Sequence, residues 1–216
     1  MVRYLSLHLG KITPLHQMNM FKCFCSSLFF IIAFSAASAQ PVSLKVDVNK
    51  SSVHWTGKKI LGQHEGNVKL SGGNVVMNNG VLGGGEFVID MNSIVCTDIS
   101  DADMNAKLIG HLKGEDFFGV EKNPTANLKV TKVMKTTTSK GVTYEITADL
   151  TIKGITQSIE FPATVTSKGK YYTASANISI DRSKWDIRYG SSSFFDNLGD
   201  KAIKDEIEFA VVLQFS

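Results

Sequence analysis

The sequence has 216 residues, with 23 Lys and Arg against 20 Asp and Glu, and a formal net charge of +3. The basic residues Arg3, Lys11 and Lys22 lie in residues 1–39, which contain no Asp or Glu, so residues 40–216 are neutral. This balance argues against nucleic acid or an anionic membrane surface as the main partner, because both need concentrated basic charge.

An export signal is predicted at the N-terminus. Phe21–Phe34 carries one Lys and then an apolar run, and Ala37–Ala39 (Ala-Ser-Ala) follows as a cleavage site before Gln40. The apolar run is too short to span a bilayer, which takes about 20 apolar residues. We therefore expect cleavage near Ala39 and a periplasmic or secreted chain, 40–216, that forms one domain without stable membrane insertion.

The chain after residue 43 is predicted to form strand after strand. In Val142–Lys153 (VTYEITADLTIK), apolar and polar residues alternate without a break, which is typical of a strand with one wet face. Similar alternation favours antiparallel strands, since parallel sheets show continuous apolar runs. It recurs at residues 44–48, 53–55, 68–70, 87–91, 128–130, 159–165, 172–180 and 207–215.

Turn sequences and small residues favour a barrel. Asn78–Gly80, Ser139–Gly141 and Ser167–Gly169 supply the Gly and Asn that hairpins need at positive φ. Gly83–Gly85 come just before a predicted strand, where glycines permit a barrel corner. Small residues on the inner face leave volume for a ligand, and we predict an all-β, eight-stranded antiparallel barrel with one short helix. These small residues are Ala148, Ala163, Ala174 and Ala176.

The one predicted helix begins with Ser100 as its N-cap and ends at Gly114. Met104, Leu108 and Leu112 share one face at spacings of four residues, and His111 lies close to that stripe.

Two aromatic pairs stand out from the strand pattern. Phe117 and Phe118 follow the helix directly, and Phe194 and Phe195 lie in the irregular segment 189–204. Exposed aromatic residues in irregular segments often rim an apolar site. We therefore expect these pairs to close or line one mouth of the barrel.

Five segments, in this order along the chain, resemble the YceI-like, polyisoprenoid-binding family. The resemblance implies an extended lipocalin-like barrel of eight strands, secreted to the bacterial periplasm. It also implies an elongated apolar tunnel that holds an isoprenoid or another long-chain amphiphile. The segments are Asp47–Gly66, Gly85–Ile94, His111–Phe118, Asp149–Pro162 and Ile180–Tyr189.

One stretch departs from the better-known members of that family. Residues 189–208 (YGSSSFFDNLGDKAIKDEIE) look like the version found in Bacteroidetes-type members.

No catalytic or metal-binding motif is found in the sequence. His54, His64 and His111 show none of the spacings that place two metal ligands on one helix face. There is no G-x-S-x-G nucleophile motif, and Cys96 is interpreted as a small buried hydrophobic residue. We therefore predict no enzyme activity, no cofactor and no metal ion.

Each candidate ligand-binding residue has a structural alternative. His64 and His111 are interpreted as polar contacts for a ligand or as hydrogen-bonded structural histidines. Arg182 either pairs with a carboxylate or meets the polar head of a ligand, and the aromatic residues either pack the core or line the site. The candidates are Trp55, His64, Phe87, Ile89, Leu108, His111, Leu112, Phe117, Phe118, Tyr144, Ala148, Ala176, Arg182, Trp185, Phe194 and Phe195.

Two functional hypotheses follow. The first is a non-enzymatic carrier of an isoprenoid or fatty amphiphile, with polyprenols and isoprenoid quinones as candidate ligands. The alternative is a periplasmic stress-related adaptor with a filled barrel that acts through protein–protein contacts. The inner face distinguishes them, because the small alanines favour a cavity unless larger side chains cover them. We leave a homodimer open.

Overall fold

The computed structural model describes residues 40–138 and 141–216. The predicted export signal in residues 1–39 lies outside the described residues, and so do the first two residues of the predicted turn at 139–141.

Nine β-strands, one α-helix and two short 3₁₀ helices make up the described part of the chain. The helix α1 spans Ala102–Lys113, and the 3₁₀ helices span Arg182–Trp185 and Gly199–Lys201. The strands are β1 (Val42–Lys45), β2 (Ser52–Lys59), β3 (Gln63–Asn78), β4 (Val81–Cys96), β5 (Thr125–Thr138), β6 (Gly141–Ile152), β7 (Ile155–Lys168), β8 (Tyr171–Asp181) and β9 (Ile203–Phe215).

These strands close into an antiparallel barrel with eight strand positions, counted over the described residues. The order around the barrel is β3-β2-β9-β8-β7-β6-β5-β4, and β4 pairs with β3 to complete the ring. The two short strands β1 and β2 share one position, because β1 pairs with residues 74–77 of β3 and β2 with residues 63–68. The predicted eight-stranded antiparallel barrel with one helix is confirmed.

Alternation along each strand decides which side chains face the inside. In β6, Tyr144, Ile146 and Ala148 are buried, whereas Glu145 between them is exposed. Removing apolar area from water is worth about 25 cal/mol per Å². The hydrophobic core therefore lies along the inner face of the barrel.

The two ends of the barrel are built differently. At one end, which we call the hairpin end, β3 leads into β4, β5 leads into β6 and β7 leads into β8. Asn79 (φ 51°) and Gly80 (φ 75°) both have positive φ there, as a two-residue type I′ turn requires. At the opposite end, which we call the helix end, β4 leads into α1 and β8 leads into residues 182–202.

The helix begins one residue later than predicted. Its N-cap is Asp101, whose carboxylate accepts a hydrogen bond from the Met104 backbone N–H at 2.9 Å, so Ser100 lies before the cap. Aspartate serves as well as serine here, and its negative charge also interacts favourably with the helix dipole. The predicted end at Gly114 is confirmed.

The buried face of α1 also differs from the predicted stripe. Met104 is 55% exposed, whereas Leu112 is buried. The side-chain amide of Asn105 donates to the carbonyl oxygens of Cys96 (3.1 Å) and Ile99 (2.9 Å). These two bonds fasten the start of the helix to the end of β4.

The three glycines lie inside β4 instead of just before a strand. The β3–β4 register shifts where Val76 pairs with Gly84 and Met77 pairs with Leu82, which leaves Gly83 as an extra residue in β4. Such a bulge bends a strand, so the bend falls at the predicted glycines, which are part of β4 and do not precede it. Neither the helix nor the 3₁₀ turns of residues 40–138 and 141–216 combine the length and apolarity that a membrane span needs.

Candidate ligand-binding cavity

A long apolar cavity runs inside the barrel. Its volume is about 210 Å³, and every strand from β2 to β9 contributes to its wall. On β9 the wall extends from Ile203 to Leu213, which covers roughly 25 Å of the barrel axis at the usual strand rise and tilt. Ordinary ligand pockets measure about 300–1,000 Å³, so this cavity is narrow for its length. Such a shape fits one thin chain better than a bulky ring system.

Small residues keep the cavity open. Ala163, Ala174 and Ala176 lie on its wall, and a Cβ placed on Gly57 would meet no atom within 4 Å. Ala148 is fully buried but does not reach the wall, because it pairs with the larger Val130 and Ile159 on the neighbouring strands. The three alanines on the wall border open space, which favours the hypothesis of a cavity over that of a filled barrel.

Many of the predicted site residues lie on the cavity wall. They come from strands β2, β4 and β8, from the end of α1, and from the segments that follow α1 and β8. Their contact with a ligand stays a prediction. They are Trp55, Phe87, Ile89, Leu112, Phe117, Phe118, Ala176 and Arg182.

Aromatic rings and one cation cover the cavity at the helix end. The rings of Phe117 and Phe118 meet edge to face, with centroids 4.9 Å apart. The guanidinium carbon of Arg182 lies 5.4 Å from the centroid of the Phe117 ring, within the range of a cation–π contact. The aromatic pair after α1 therefore lies at the mouth where the sequence placed it.

Arg182 is fully buried and heavily hydrogen-bonded. Its Nη1 donates to the carbonyl oxygen of Ile187 at 2.9 Å, and Nη2 lies 3.3 Å from a carboxylate oxygen of Asp205. Nη2 and Nε also donate to the carbonyl oxygens of Ile203 (3.2 Å) and Lys204 (3.3 Å). Desolvation lowers the pKa of this guanidinium, and the nearby carboxylates oppose that effect. The geometry thus shows the paired, structural arrangement that the sequence left as one of two alternatives.

Three other predicted residues pack in or against the core without reaching the cavity wall. Trp185 is 1% exposed, and its Nε1 donates to the Leu150 carbonyl oxygen at 3.0 Å. Tyr144 is 4% exposed and lies in the hairpin half of β6. Leu108 packs against the core from the outside, on α1.

The structure does not bring the remaining predicted residues to the cavity. His111 is exposed and stacks on Tyr189, with ring centroids 5.4 Å apart. Phe194 and Phe195 are 38% and 50% exposed. The Arg188 guanidinium lies 5.0 Å from the Phe194 ring centroid and covers part of it. No contact in the described residues connects either phenylalanine with the lumen.

His64 belongs to a polar cluster at the rim of the helix end. Its Nδ1 lies 2.9 Å from one carboxylate oxygen of Asp98, while the Glu65 N–H donates to the other at 3.0 Å. Desolvation would raise the pKa of Asp98, but the hydrogen bonds from Glu65, His64 and Cys96 outweigh it and lower the pKa to about 2. The cluster joins the start of β3 to the end of β4, so the histidine is held by a structural partner.

Sequence reasoning missed much of the wall on β9. Ile207, Phe209, Val211 and Leu213 all line the cavity. The alternation of β9 identifies these residues as inward-facing, but it does not show which inward-facing side chains border empty space. Gly57 was missed as well, because a glycine gives no signal in a hydrophobic pattern.

Comparison with known proteins identifies the family of the chain. The sequence matches the YceI-like domain over residues 44–215. A UPF0312 protein of Photorhabdus laumondii is 35% identical over 77 residues, which cover 35% of this chain and 38% of that protein. The chain therefore matches well under half the length of this curated relative.

Two solved structures share the fold. BcnA of Burkholderia cenocepacia has a TM-score of 0.62 and 26% sequence identity, covering 78% of this chain and 98% of BcnA. A polyisoprenoid-binding domain from Saccharophagus degradans has a TM-score of 0.57, covering 80% of this chain and 97% of that domain. Its identity is 13%, so this second likeness shows the fold alone.

Proposed function

The chain belongs to the YceI-like domain family, and on this premise we propose that it is a non-enzymatic protein that binds a long-chain amphiphile, such as an isoprenoid lipid, inside its barrel. The observation that carries the proposal is the cavity, which is apolar, narrow and roughly as long as the barrel. The Saccharophagus degradans domain, which shares the fold, is a polyisoprenoid-binding domain, and this supports the ligand class.

Chain length dominates the affinity of such a site. Burying one methylene group is worth about 0.8 kcal/mol before the cost of ordering the chain. About ten buried methylenes therefore outweigh a head-group hydrogen bond, which contributes about 0.5–1.5 kcal/mol. Affinity rises with chain length until the lumen is full, and polyprenols and isoprenoid quinones are suitable ligands.

Binding rather than catalysis is supported by the state of Cys96. Its thiol donates to an Asp98 carboxylate oxygen at 3.1 Å. Burial raises the pKa of this thiol, and the hydrogen bond to Asp98 raises it further. Because the thiolate is the nucleophilic form, this environment disfavours nucleophilic chemistry at the buried cysteine.

We further propose that the protein acts in the periplasm or outside the cell. The support is the apolar run of the N-terminal segment and the Ala-Ser-Ala cleavage site that ends at Ala39. An extracytoplasmic carrier of this kind gives a water-insoluble chain a dry compartment away from the bilayer.

Native mass spectrometry of the protein purified from a bacterial periplasm tests the proposal. We expect a co-purified lipid, and mature protein that begins after Ala39. Recovery of ligand-free protein that also fails to take up added polyprenol or isoprenoid quinone would contradict the function.

A matched pair of variants locates the ligand. Ala176→Phe adds a ring to the cavity wall on β8, whereas Ala210→Phe adds the same ring to an exposed position on the neighbouring strand β9. Displacing only two methylenes from the lumen costs about 1.6 kcal/mol, so we expect Ala176→Phe to weaken binding more than about tenfold. Ala210→Phe is expected to bind like the parent protein. Equal binding by both variants would place the ligand outside the lumen.

A further inference from the structure

The cavity ends at the hairpin end against a layer of packed side chains. Phe215 is fully buried, and its ring lies nearly parallel to that of Tyr172, with 9° between the ring planes. Neither ring lines the cavity, whereas Leu213, two residues before Phe215 on β9, does. Met77 and Tyr144 are buried at this end and do not line the cavity either. We call the side chains of Tyr172, Phe215, Met77 and Tyr144 the floor of the cavity.

Ala174 is the small residue next to the floor. It pairs with Leu213 on β9, and directly opposite residues of antiparallel strands have their side chains on the same face of the sheet. Leu213 is buried and lines the cavity, so the methyl group of Ala174, which is also part of the wall, faces the lumen. Tyr172, the next residue on this face of β8 towards the hairpin turn, already belongs to the floor. Ala174 therefore marks the deepest position on β8 at which the lumen is open.

The spacing of the wall residues relates depth in the lumen to chain length. Inward-facing residues of a strand are two residues apart, which is about 6.6 Å along the strand and roughly 5 Å along the axis of a barrel with tilted strands. An isoprene unit of an extended chain advances by a similar distance. Each inward position on β8 therefore corresponds to roughly one isoprene unit of a bound chain.

The charged and hydroxyl-bearing residues of the wall indicate the direction of the chain. In the described part of the protein these are Ser175, Arg182 and Lys204. Ser175 lies between the inward-facing Ala174 and Ala176, so its side chain faces outward. Arg182 and Lys204 belong to the helix end, where Lys204 is exposed to solvent. A polar head group beside Ala174 would be buried without a polar side chain of the wall as its partner, which is unfavourable. The head group therefore stays at the helix end, and the tail points towards the floor.

We propose that the bound chain lies with its tail against the floor, and that Ala174 is a specificity-determining residue that sets the chain length at which the lumen is full. This inference rests on the proposed function and refines it, because it gives the orientation of the ligand and the feature that limits its buried length. A chain gains affinity with each isoprene unit until its tail meets the floor, and any further units lie outside the lumen.

A series of isoprenoid alcohols tests the length limit: geraniol, farnesol, geranylgeraniol, geranylfarnesol and hexaprenol, each one isoprene unit longer than the one before. All are delivered from cyclodextrin to the mature protein. Affinity is expected to rise along the series and then to reach a plateau, because units beyond a full lumen bury no further apolar surface. Affinity that still rises at hexaprenol would overturn the inference, since the floor would then not limit the chain.

Ala174→Leu fills the space next to the floor. It is expected to move the plateau to a chain one isoprene unit shorter and to weaken the probes on the parent's plateau more than about tenfold, a factor that two displaced methylenes already supply. The shortest probes are expected to bind as before, because a short chain can shift towards the helix end. Ala210→Leu is the matched control at an exposed position of β9 and is expected to keep the parent's plateau. An unchanged plateau in Ala174→Leu, or equal weakening of every probe, would overturn the inference.

The unmodified protein gives a second readout that does not depend on any variant folding. In the complex with the shortest probe on the plateau, nuclear Overhauser effects are expected between the Ala174 methyl group and the terminal methyl groups of the tail. The protons beside the hydroxyl group are expected to show such effects with the Phe117 or Phe118 ring, which line the cavity at the helix end. If a probe binds but its hydroxyl end, or neither end, lies next to Ala174, this inference fails while the carrier function stands. If no probe binds, both fail.

Discussion

The helix end and the hairpin end close the same barrel by different means. At the helix end, a buried cation closes the barrel together with the Phe117 and Phe118 rings: Arg182 is fully buried against Asp205 and backbone carbonyl oxygens. At the hairpin end, Phe215 is fully buried and stacks in parallel on Tyr172, with ring centroids 5.5 Å apart. Closure of the helix end therefore combines hydrogen bonds with aromatic packing, whereas closure of the hairpin end depends on packed volume.

The segment after β1 and the end of β9 together form the apolar closure of the hairpin end. Backbone hydrogen bonds join Lys45 and Ser216 in both directions, at 3.1 and 3.2 Å, and Val46 pairs with Phe215. Val46 is 3% exposed, so the segment after β1 and the end of β9 bury each other. The two segments therefore pack together at the hairpin end.

The largest expected effect is at the hairpin end. Phe215→Ala removes a fully buried ring and leaves a cavity, which lowers the free energy of unfolding by about 4 kcal/mol. Urea denaturation measures the change. Phe215→Leu is expected to recover most of the loss, because packed cores tolerate swaps that nearly conserve volume. A loss below about 1 kcal/mol for Phe215→Ala would show that packing does not close this end.

The second-largest expected loss of stability is at the helix end. Arg182→Met leaves the Asp205 carboxylate without its buried counter-charge, and it leaves the carbonyl oxygens of Ile187, Ile203 and Lys204 without their donor. We expect the free energy of unfolding to fall by about 3 kcal/mol, as for other broken buried pairs. Arg182→Lys keeps the charge but lacks the planar fork, so little recovery is expected.

These conservative variants sharpen the comparison between the ends. We expect urea denaturation to show that Phe215→Leu regains most of the lost free energy of unfolding, whereas Arg182→Lys does not. This result would show that side-chain volume matters at the hairpin end and hydrogen-bond geometry at the helix end. If Arg182→Lys were as stable as the parent protein, charge alone would suffice at the helix end.

The smallest effect concerns the rim cluster around Asp98. Hydrogen bonds lower the pKa of this carboxyl in the folded protein to about 2, below its ordinary value of 3.8. The ionised group therefore stabilises the fold above about pH 4, and this contribution is lost as the pH falls towards 2. Because the side chain is partly exposed, we expect about 1 kcal/mol.

Asp98→Asn is the variant that tests this pH dependence. Between pH 4 and 2 the parent protein is expected to lose more stability than the variant, measured by urea denaturation at each pH. Parallel pH profiles for the two proteins would show that the Asp98 hydrogen bonds to His64 and Glu65 do not stabilise the ionised form.

Local patterns predicted the fold well and the wall of the cavity only in part. The Asn79-Gly80 turn and the helix end at Gly114 were predicted because their geometry depends on a few neighbouring residues. The positions of His111 and Phe194 were not, because they depend on how α1 and residues 186–202 fold over the barrel. Periodicity identifies an inward-facing side chain, but only packing shows whether it borders space.

The sequence by itself determined the strand alternation, the hairpin turns, the neutral charge of residues 40–216 and the family resemblance. Each of these features depends only on composition or on patterns among residues close together in the sequence. Only the tertiary structure decided that Ala176 borders the lumen while Ala148 is covered, and that the Trp185 indole has a hydrogen-bond partner while the Trp55 indole has none among the described residues. Those outcomes depend on side chains from distant strands, which meet only when the barrel closes.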